Sequence, residues 1–229
     1  LRLGADELKE ASVGLNRRVG EGHYARIDVN HRDTGSWVDG VDSRSTQLAA
    51  SLRSDFGRGF THTLAYEFQQ EDVDRPYWGT PVLNPVAGKL RIDEGTRFKN
   101  YNSVDAVYDQ RVQWLRSIAA WKASDALQFT NTFYVYDALR DYRNVENYRF
   151  NPANTQVIRS SALLQRHDQT MVGDRIDGTY RGRIGERRSD WSFGLDFSIN
   201  RQTRYPNSQS AVVSSVDPYR FVTERFFDV

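Results

Sequence analysis

Apolar and polar residues alternate with a period of two along much of this chain. From Trp191 to Asn200, aromatic and aliphatic residues occupy every second position, and small or polar residues occupy the positions between them. The stretch from Phe60 to Gln69 shows a similar alternation. A helix would place apolar residues at every third or fourth position, so the pattern predicts extended strands with one apolar and one polar face.

Nine strands are predicted from this pattern, and no helix is needed. Their ranges are 1–6, 9–19, 23–34, 43–56, 60–73, 103–122, 126–141, 165–184 and 189–204. The sixth strand is the least regular, because Arg116 interrupts a face that is expected to carry Val112, Trp114 and Ile118. A β-bulge there would shift the phase of the alternation.

Short links alternate with longer ones from the second strand onward. The short links are 20–22, 57–59, 123–125 and 185–188, and the long ones are 35–42, 74–102 and 142–164. Outer-membrane β-barrels show this asymmetry, because their periplasmic turns are short and their extracellular loops are long. Most of the strands also exceed the roughly 9 to 11 residues that cross a bilayer. The predicted fold class is therefore all-β, an antiparallel up-and-down transmembrane β-barrel.

A soluble β-sandwich with one wet face would show the same alternation, but it gives no reason for loop lengths to be sorted by end. Composition narrows the choice further. The 31 Lys and Arg residues nearly balance the 30 Asp and Glu residues, which argues against a nucleic-acid binder driven by phosphate neutralisation. Cysteine is absent, so disulfide frameworks and thiolate metal sites are excluded. No window approaches 18 consecutive apolar residues, so helical membrane spans are excluded as well.

Several short strings resemble those of TonB-dependent siderophore receptors, and they occur in the order of that family. They are Tyr24–Asp33, Gly35–Asp42, Arg75–Pro81, Arg143–Tyr148 and Val216–Tyr219. Barrels of this family have about 22 strands and a lumen closed by a plug domain. The resemblance implies that residues 1–229 form a partial barrel domain of about nine strands. The plug and the C-terminal barrel strands are expected to lie outside this chain.

The resemblance also implies a function, namely active, TonB-energised uptake of a ferric siderophore across the outer membrane of a Gram-negative bacterium. The expected partners are the ferric siderophore, outer-membrane lipid, and the TonB-ExbB-ExbD energy-coupling system acting through the missing plug. No cofactor and no metal site of the protein's own are expected, because the siderophore carries the iron. A passive porin-like channel remains the alternative, and phages or bacteriocins could use the same loops as a receptor.

The long loops are the favoured place for ligand binding, because binding residues concentrate on loops held by a rigid scaffold. Aromatic rings there could pack against a siderophore, and arginine could neutralise its anionic groups. The candidate ligand-binding residues are Tyr77, Trp78, Tyr101, Tyr142, Arg143 and Tyr148. No catalytic motif is present, so no catalytic residue is assigned. An outer-membrane lipase using His62 and a nearby strand serine is the one enzyme alternative.

Overall fold

The computed structural model describes residues 1–86 and 88–227. Residues 87, 228 and 229 lie outside the described residues. Residue 87 falls within the predicted loop 74–102, and all three fall within the predicted domain 1–229. The strands are β1 (Arg2–Leu3), β2 (Lys9–Gly20), β3 (His23–Thr34), β4 (Asp42–Asp55), β5 (Phe60–Asp74), β6 (Val82–Val86), β7 (Lys89–Ile92), β8 (Val107–Lys122), β9 (Leu127–Phe150), β10 (Val157–Ile184) and β11 (Arg187–Val216).

Nine of these strands form one antiparallel sheet in the order β1-β2-β3-β4-β5-β8-β9-β10-β11, with each strand paired to the next. This is the up-and-down arrangement of a barrel wall, and it confirms the predicted number of strands and the fold class. The short links all lie at one end of the sheet. Two of them rely on glycines with positive φ, Gly22 (72°) and Gly59 (76°). A Cβ atom at either glycine would lie within 2.7 Å of a neighbouring backbone oxygen, so the tight turns require glycine.

One face of the sheet is apolar and exposed along its whole width. On β11, Trp191, Leu195 and Phe197 are 58%, 73% and 67% exposed. The apolar positions of this strand run from Trp191 to Ile199, which matches the length of strand that crosses a hydrocarbon layer. We call this surface the apolar band. The opposite face carries most of the charged side chains, such as Asp28, which pairs with Arg26 at 2.6 Å.

The predicted phase of the sixth strand is wrong. β8 pairs with β5 in an unbroken register that sets Trp114 opposite Glu67, and Val112 opposite Gln69. Directly paired residues share a face, so Val112, Trp114 and Ile118 belong to the polar face together with Arg116. Leu115 lies on the apolar face instead. The sequence was ambiguous because both faces of this strand carry apolar residues, and β8 contains no bulge in either of its ladders.

The predicted loop 142–164 is mostly strand. β9 continues to Phe150 and β10 begins at Val157, so the connection shrinks to residues 151–156. The Asn151 side chain closes this tip by accepting hydrogen bonds from the backbone N–H groups of Thr155 (2.8 Å) and Gln156 (3.2 Å). β11 likewise runs on to Val216. Beyond a membrane neither face needs to be apolar, so the alternating pattern fades although the hydrogen-bonded ladder continues.

The other long connection, between β5 and β8, also contains local structure. β6 and β7 form a separate two-stranded hairpin, and residues Glu94–Thr96 form a 3-10 helix. In this single turn the Asp93 side chain accepts from the Gly95 N–H at 2.8 Å, and the described residues contain no α-helix. No helix in residues 1–86 and 88–227 is long and apolar enough to cross a membrane.

A packed core lies at the long-loop end of the sheet. Tyr101, Phe150, Val157 and Val216 are buried together, and Tyr148 and Phe221 pack against them. We call this group the cap core. It fastens residues 75–86, 88–106 and 217–227 onto the extensions of β9, β10 and β11, so these loop segments pack together in one structure.

Candidate functional site

An aromatic cleft opens where the β5–β8 connection meets the polar face of the extended strands. Its volume is about 480 Å³, within the range of about 300 to 1,000 Å³ that is typical of small-molecule sites. We call this site the aromatic cleft. It is lined by Val73, Pro76, Tyr77, Trp78, Tyr108, Arg140, Tyr142, Glu146, Leu163 and Gln165.

Ring contacts hold the walls of the aromatic cleft in place. Tyr142 packs edge-to-face against Trp78 (6.0 Å between centroids) and against Tyr108 (5.9 Å). Tyr142 is 7% exposed, whereas Trp78 is 51% exposed and presents its surface to the cleft. Burial raises the pKa of Tyr142, so its hydroxyl stays protonated. That hydroxyl is buried and has no hydrogen-bond partner among the described residues.

Three of the candidate residues, Tyr77, Trp78 and Tyr142, line the aromatic cleft. Tyr77 and Trp78 lie in the β5–β8 connection, whereas Tyr142, like Arg143 and Tyr148, lies on β9 rather than in a loop. Placing these three on a loop was wrong because the β9–β10 ladder extends through them.

The other three candidates lie elsewhere. Tyr101 is fully buried, stacks on Phe221 with centroids 4.9 Å apart, and donates from its hydroxyl to the Pro218 carbonyl at 2.7 Å. Tyr148 packs beside it with centroids 5.9 Å apart, and burial raises its pKa. Arg143 donates to Asp141 at 3.1 Å on the opposite face of the sheet from Tyr142.

Sequence reasoning missed seven members of the aromatic cleft, and four of these have polar side chains, namely Tyr108, Arg140, Glu146 and Gln165. Tyr108 and Arg140 fell inside predicted strands, and Gln165 was the first residue of one. The available signal was the phase of alternation. Carrying the polar face of β9 onward from Tyr136 at every second position reaches Arg140, Tyr142 and Glu146.

A second and larger concavity of about 720 Å³ lies on the polar face, at the level of the apolar band. Trp114 stands in it, with the Arg116 guanidinium 4.6 Å from the ring centroid and Tyr136 edge-on at 6.3 Å. Arg116 is ion-paired with Glu67. Within the described part of the chain, the indole N–H of Trp114 and the Nε of Arg116 are buried without acceptors.

Polar side chains on the apolar band are paired with each other. His62 Nε2 lies 2.8 Å from Ser117 Oγ, and the Asn131 amide donates to Asp174 at 2.5 Å. Pairing is expected in apolar surroundings, where an unpartnered polar group costs several kcal/mol. The structure thus brings together the His–Ser pair that the lipase alternative required.

We expect this pair to be catalytically inert. The backbone N–H groups around Ser117 are engaged in the ladders with β5 and β9, so they cannot form an oxyanion hole. A fluorophosphonate probe should leave Ser117 unlabelled, and Ser117→Ala should leave phospholipid hydrolysis unchanged. Labelling of Ser117 that disappears in His62→Ala would contradict this expectation.

Among the described residues, no group of three or more His, Cys, Asp and Glu side chains could hold a metal ion. No family model matches the chain, and no curated protein matches it.

Solved structures do match in fold. The ferric preacinetobactin receptor BauA from Acinetobacter baumannii is 14% identical, with a TM-score of 0.79 over 94% of this chain and 32% of its own. The ferric-catecholate import receptor Fiu from E. coli K12 is 17% identical, with a TM-score of 0.81 over 98% of this chain and 37% of its own. The outer-membrane ferripyoverdine receptor of Pseudomonas aeruginosa is 11% identical, with a TM-score of 0.75 over 96% and 30%.

These identities are low, so the likeness concerns the fold. The chain spans about a third of the length of the structures it matches. The chain therefore has the fold of the barrel wall of TonB-dependent siderophore receptors.

Proposed function

We propose that this chain is part of an outer-membrane receptor for active, TonB-energised uptake of a ferric siderophore in a Gram-negative bacterium. The observation that carries the proposal is the aromatic cleft, which lies at the long-loop end of the barrel wall with its rings already packed in place. Preformed walls favour ligand capture, because little conformational freedom is lost on binding.

The chemistry of the aromatic cleft suits a chelate with planar parts. Trp78 and Tyr77 supply ring surface, Tyr142 supplies an unused hydroxyl, and Arg140 supplies a positive charge. The ligand brings its own iron, so we propose no cofactor and no metal site of the protein's own.

The polar face supports the proposal of further partners. Trp114, whose indole N–H is unsatisfied, lines the larger concavity, where a plug domain could supply an acceptor. We propose that a plug encoded outside this chain couples the barrel to the TonB-ExbB-ExbD system. Outer-membrane lipid would cover the apolar band.

Trp78→Ala in the receptor that contains this chain should raise the Kd for its ferric siderophore at least about fivefold, since a ring anchor contributes about 1 kcal/mol or more. Trp37→Ala is the matched control. Trp37 is 52% exposed and packs edge-to-face on Tyr77 at 5.3 Å, but it does not line the aromatic cleft. Tryptophan fluorescence quenching by the ferric chelate measures both values. Equal losses in the two variants would remove Trp78 from the site.

Transport separates the active receptor from a passive porin-like channel. Cells that express the receptor and depend on it for iron should accumulate radiolabelled ferric siderophore, and a protonophore should stop uptake while leaving surface binding intact. Uptake that continues without the proton-motive force would reject energised import and favour the channel.

A further inference from the structure

Three basic side chains stand side by side on the polar face of the extended strands. Arg140 on β9 is directly opposite His167 on β10, and His167 is directly opposite Arg204 on β11. We call these three residues the basic row. The two arginines therefore flank the histidine on the strands to either side of it.

The basic row lacks neutralising partners. In residues 1–86 and 88–227, no carboxylate oxygen lies within 4.0 Å of the guanidinium group of Arg140 or Arg204. Some arginines of the polar face are paired with an aspartate two residues away, for example Arg175 with Asp177 at 2.7 Å. In the basic row, the two arginines on either side of His167 have no such counter-charge.

The groups that face the two arginines are neutral. Arg140 donates to the Nδ1 atom of His167 at 2.8 Å, which requires that ring nitrogen to be unprotonated. Burial and the charges of Arg140 and Arg204 lower the pKa of His167. The Gln165 amide lies within hydrogen-bonding distance of both guanidinium groups and adds no charge.

The basic row lies outside the apolar band and beside the aromatic cleft. Arg140, His167 and Arg204 are each five residues beyond Val135, Val172 and Ile199, which form one cross-strand row of the apolar band. Five residues of strand correspond to about 16 Å toward the loops. Arg140 and Gln165 also line the aromatic cleft, so the basic row continues its floor.

We propose that the basic row is an anion-binding subsite of the aromatic cleft, and that the ligand is a negatively charged ferric chelate of the triscatecholate class rather than a neutral trishydroxamate. This inference rests on the proposed function. The two guanidinium groups on either side of His167 can bond to several phenolate oxygens at once, and charge-assisted hydrogen bonds of this kind are about twice as strong as neutral ones. The rings of the cleft would pack against the catechol rings.

His167 gives the subsite a pH dependence. A bound anion would stabilise the imidazolium form, so binding raises the lowered pKa of His167 and takes up a proton. The affinity for the anionic chelate should therefore rise as the pH falls through that pKa. His167→Gln should flatten this dependence, because glutamine does not titrate.

The test measures the Kd of the complete receptor for two probes, a ferric triscatecholate and a neutral ferric trishydroxamate. Arg140→Gln and Arg204→Gln should each weaken binding of the triscatecholate roughly tenfold. Arg32→Gln is the matched control. Arg32 lies on the same face of the sheet and in the same cross-strand row as Arg140. Ser45, Glu71 and Gln110 occupy the three strands between them, so Arg32 is remote from the cleft.

Selective loss of triscatecholate binding in the two basic-row variants, with the control unchanged, supports the anion subsite. Wild-type receptor that binds the trishydroxamate more tightly overturns it and leaves the proposed uptake function intact. Equal weakening in Arg32→Gln also overturns it, since the effect would then be one of general charge. Binding of neither probe, together with no import of any ferric chelate, rejects the proposed function itself.

Discussion

Arg159→Met should lower the free energy of local opening of residues 217–227 by about 3 kcal/mol, because a fully buried guanidinium with four partners is lost. Arg159 donates to Ser214 Oγ at 2.7 and 2.8 Å and to the Tyr101 carbonyl at 3.1 Å. It is ion-paired with Glu224, and its guanidinium lies 4.9 Å from the centroid of the Phe226 ring. Methionine retains the length of the side chain but leaves the buried acceptors without a donor.

Hydrogen exchange measures this loosening directly. The Phe226 N–H is bonded to Ser103 Oγ and the Phe227 N–H to Asp105, at 3.1 and 2.9 Å. A decrease of about 3 kcal/mol in the free energy of local opening corresponds to roughly a hundredfold faster exchange at these two amides. Arg166→Met is the control, because Arg166 is 53% exposed in its pair with Asp168 and should change stability by less than about 0.5 kcal/mol. Unchanged exchange at Phe226 and Phe227 would show that Arg159 does not hold the segment.

Tyr101→Ala should lower the free energy of opening of the same region by a similar amount, about 3 to 5 kcal/mol, because the ring is fully buried in the cap core. It removes the stack on Phe221 and leaves a cavity between the loop and the strands. Tyr101→Phe keeps the ring and loses only the hydrogen bond to the Pro218 carbonyl, so it should destabilise by about 1 kcal/mol.

Limited trypsin digestion at Arg220, which is exposed, reports this opening. When opening and closing are fast, cleavage follows the open fraction, so Tyr101→Ala should be cut more than a hundredfold faster and Tyr101→Phe about fivefold faster. Tyr205→Ala is the control, because Tyr205 is 56% exposed and lies on β11 away from the cap core. Equal cleavage of Tyr101→Ala and the control would place Tyr101 outside the structural core and return it to the candidate binding residues.

The cap core joins three distant parts of the chain, and Tyr101 lies more than a hundred residues from Phe221, which explains why sequence reasoning assigned Tyr101 and Tyr148 to ligand binding. An aromatic residue in a polar loop has the same local sequence signature whether it binds a ligand or packs against a distant segment. Only the arrival of Phe221 and Pro218 beside Tyr101 distinguishes the two roles.

Strand existence was predictable wherever one face is apolar. The predicted strand 23–34 is β3 (His23–Thr34), and the predicted strand 60–73 differs from β5 (Phe60–Asp74) by one residue. Prediction failed where that condition is absent. Residues 142–150 extend β9 beyond the apolar band, so the ladder is held by hydrogen bonds to β10 and no alternation of apolar residues records it.

The amino-acid sequence by itself determined the all-β class, the nine-stranded barrel wall and the end at which the long loops gather. These features follow from local periodicity and turn residues, which act within a few positions along the chain. The tertiary structure decided the rest. Cross-strand register set Trp114 on the polar face, brought Tyr108 and Arg140 to the aromatic cleft, and aligned Arg140, His167 and Arg204 in the basic row. These are relations between residues that are distant in sequence, and only strand pairing can specify them.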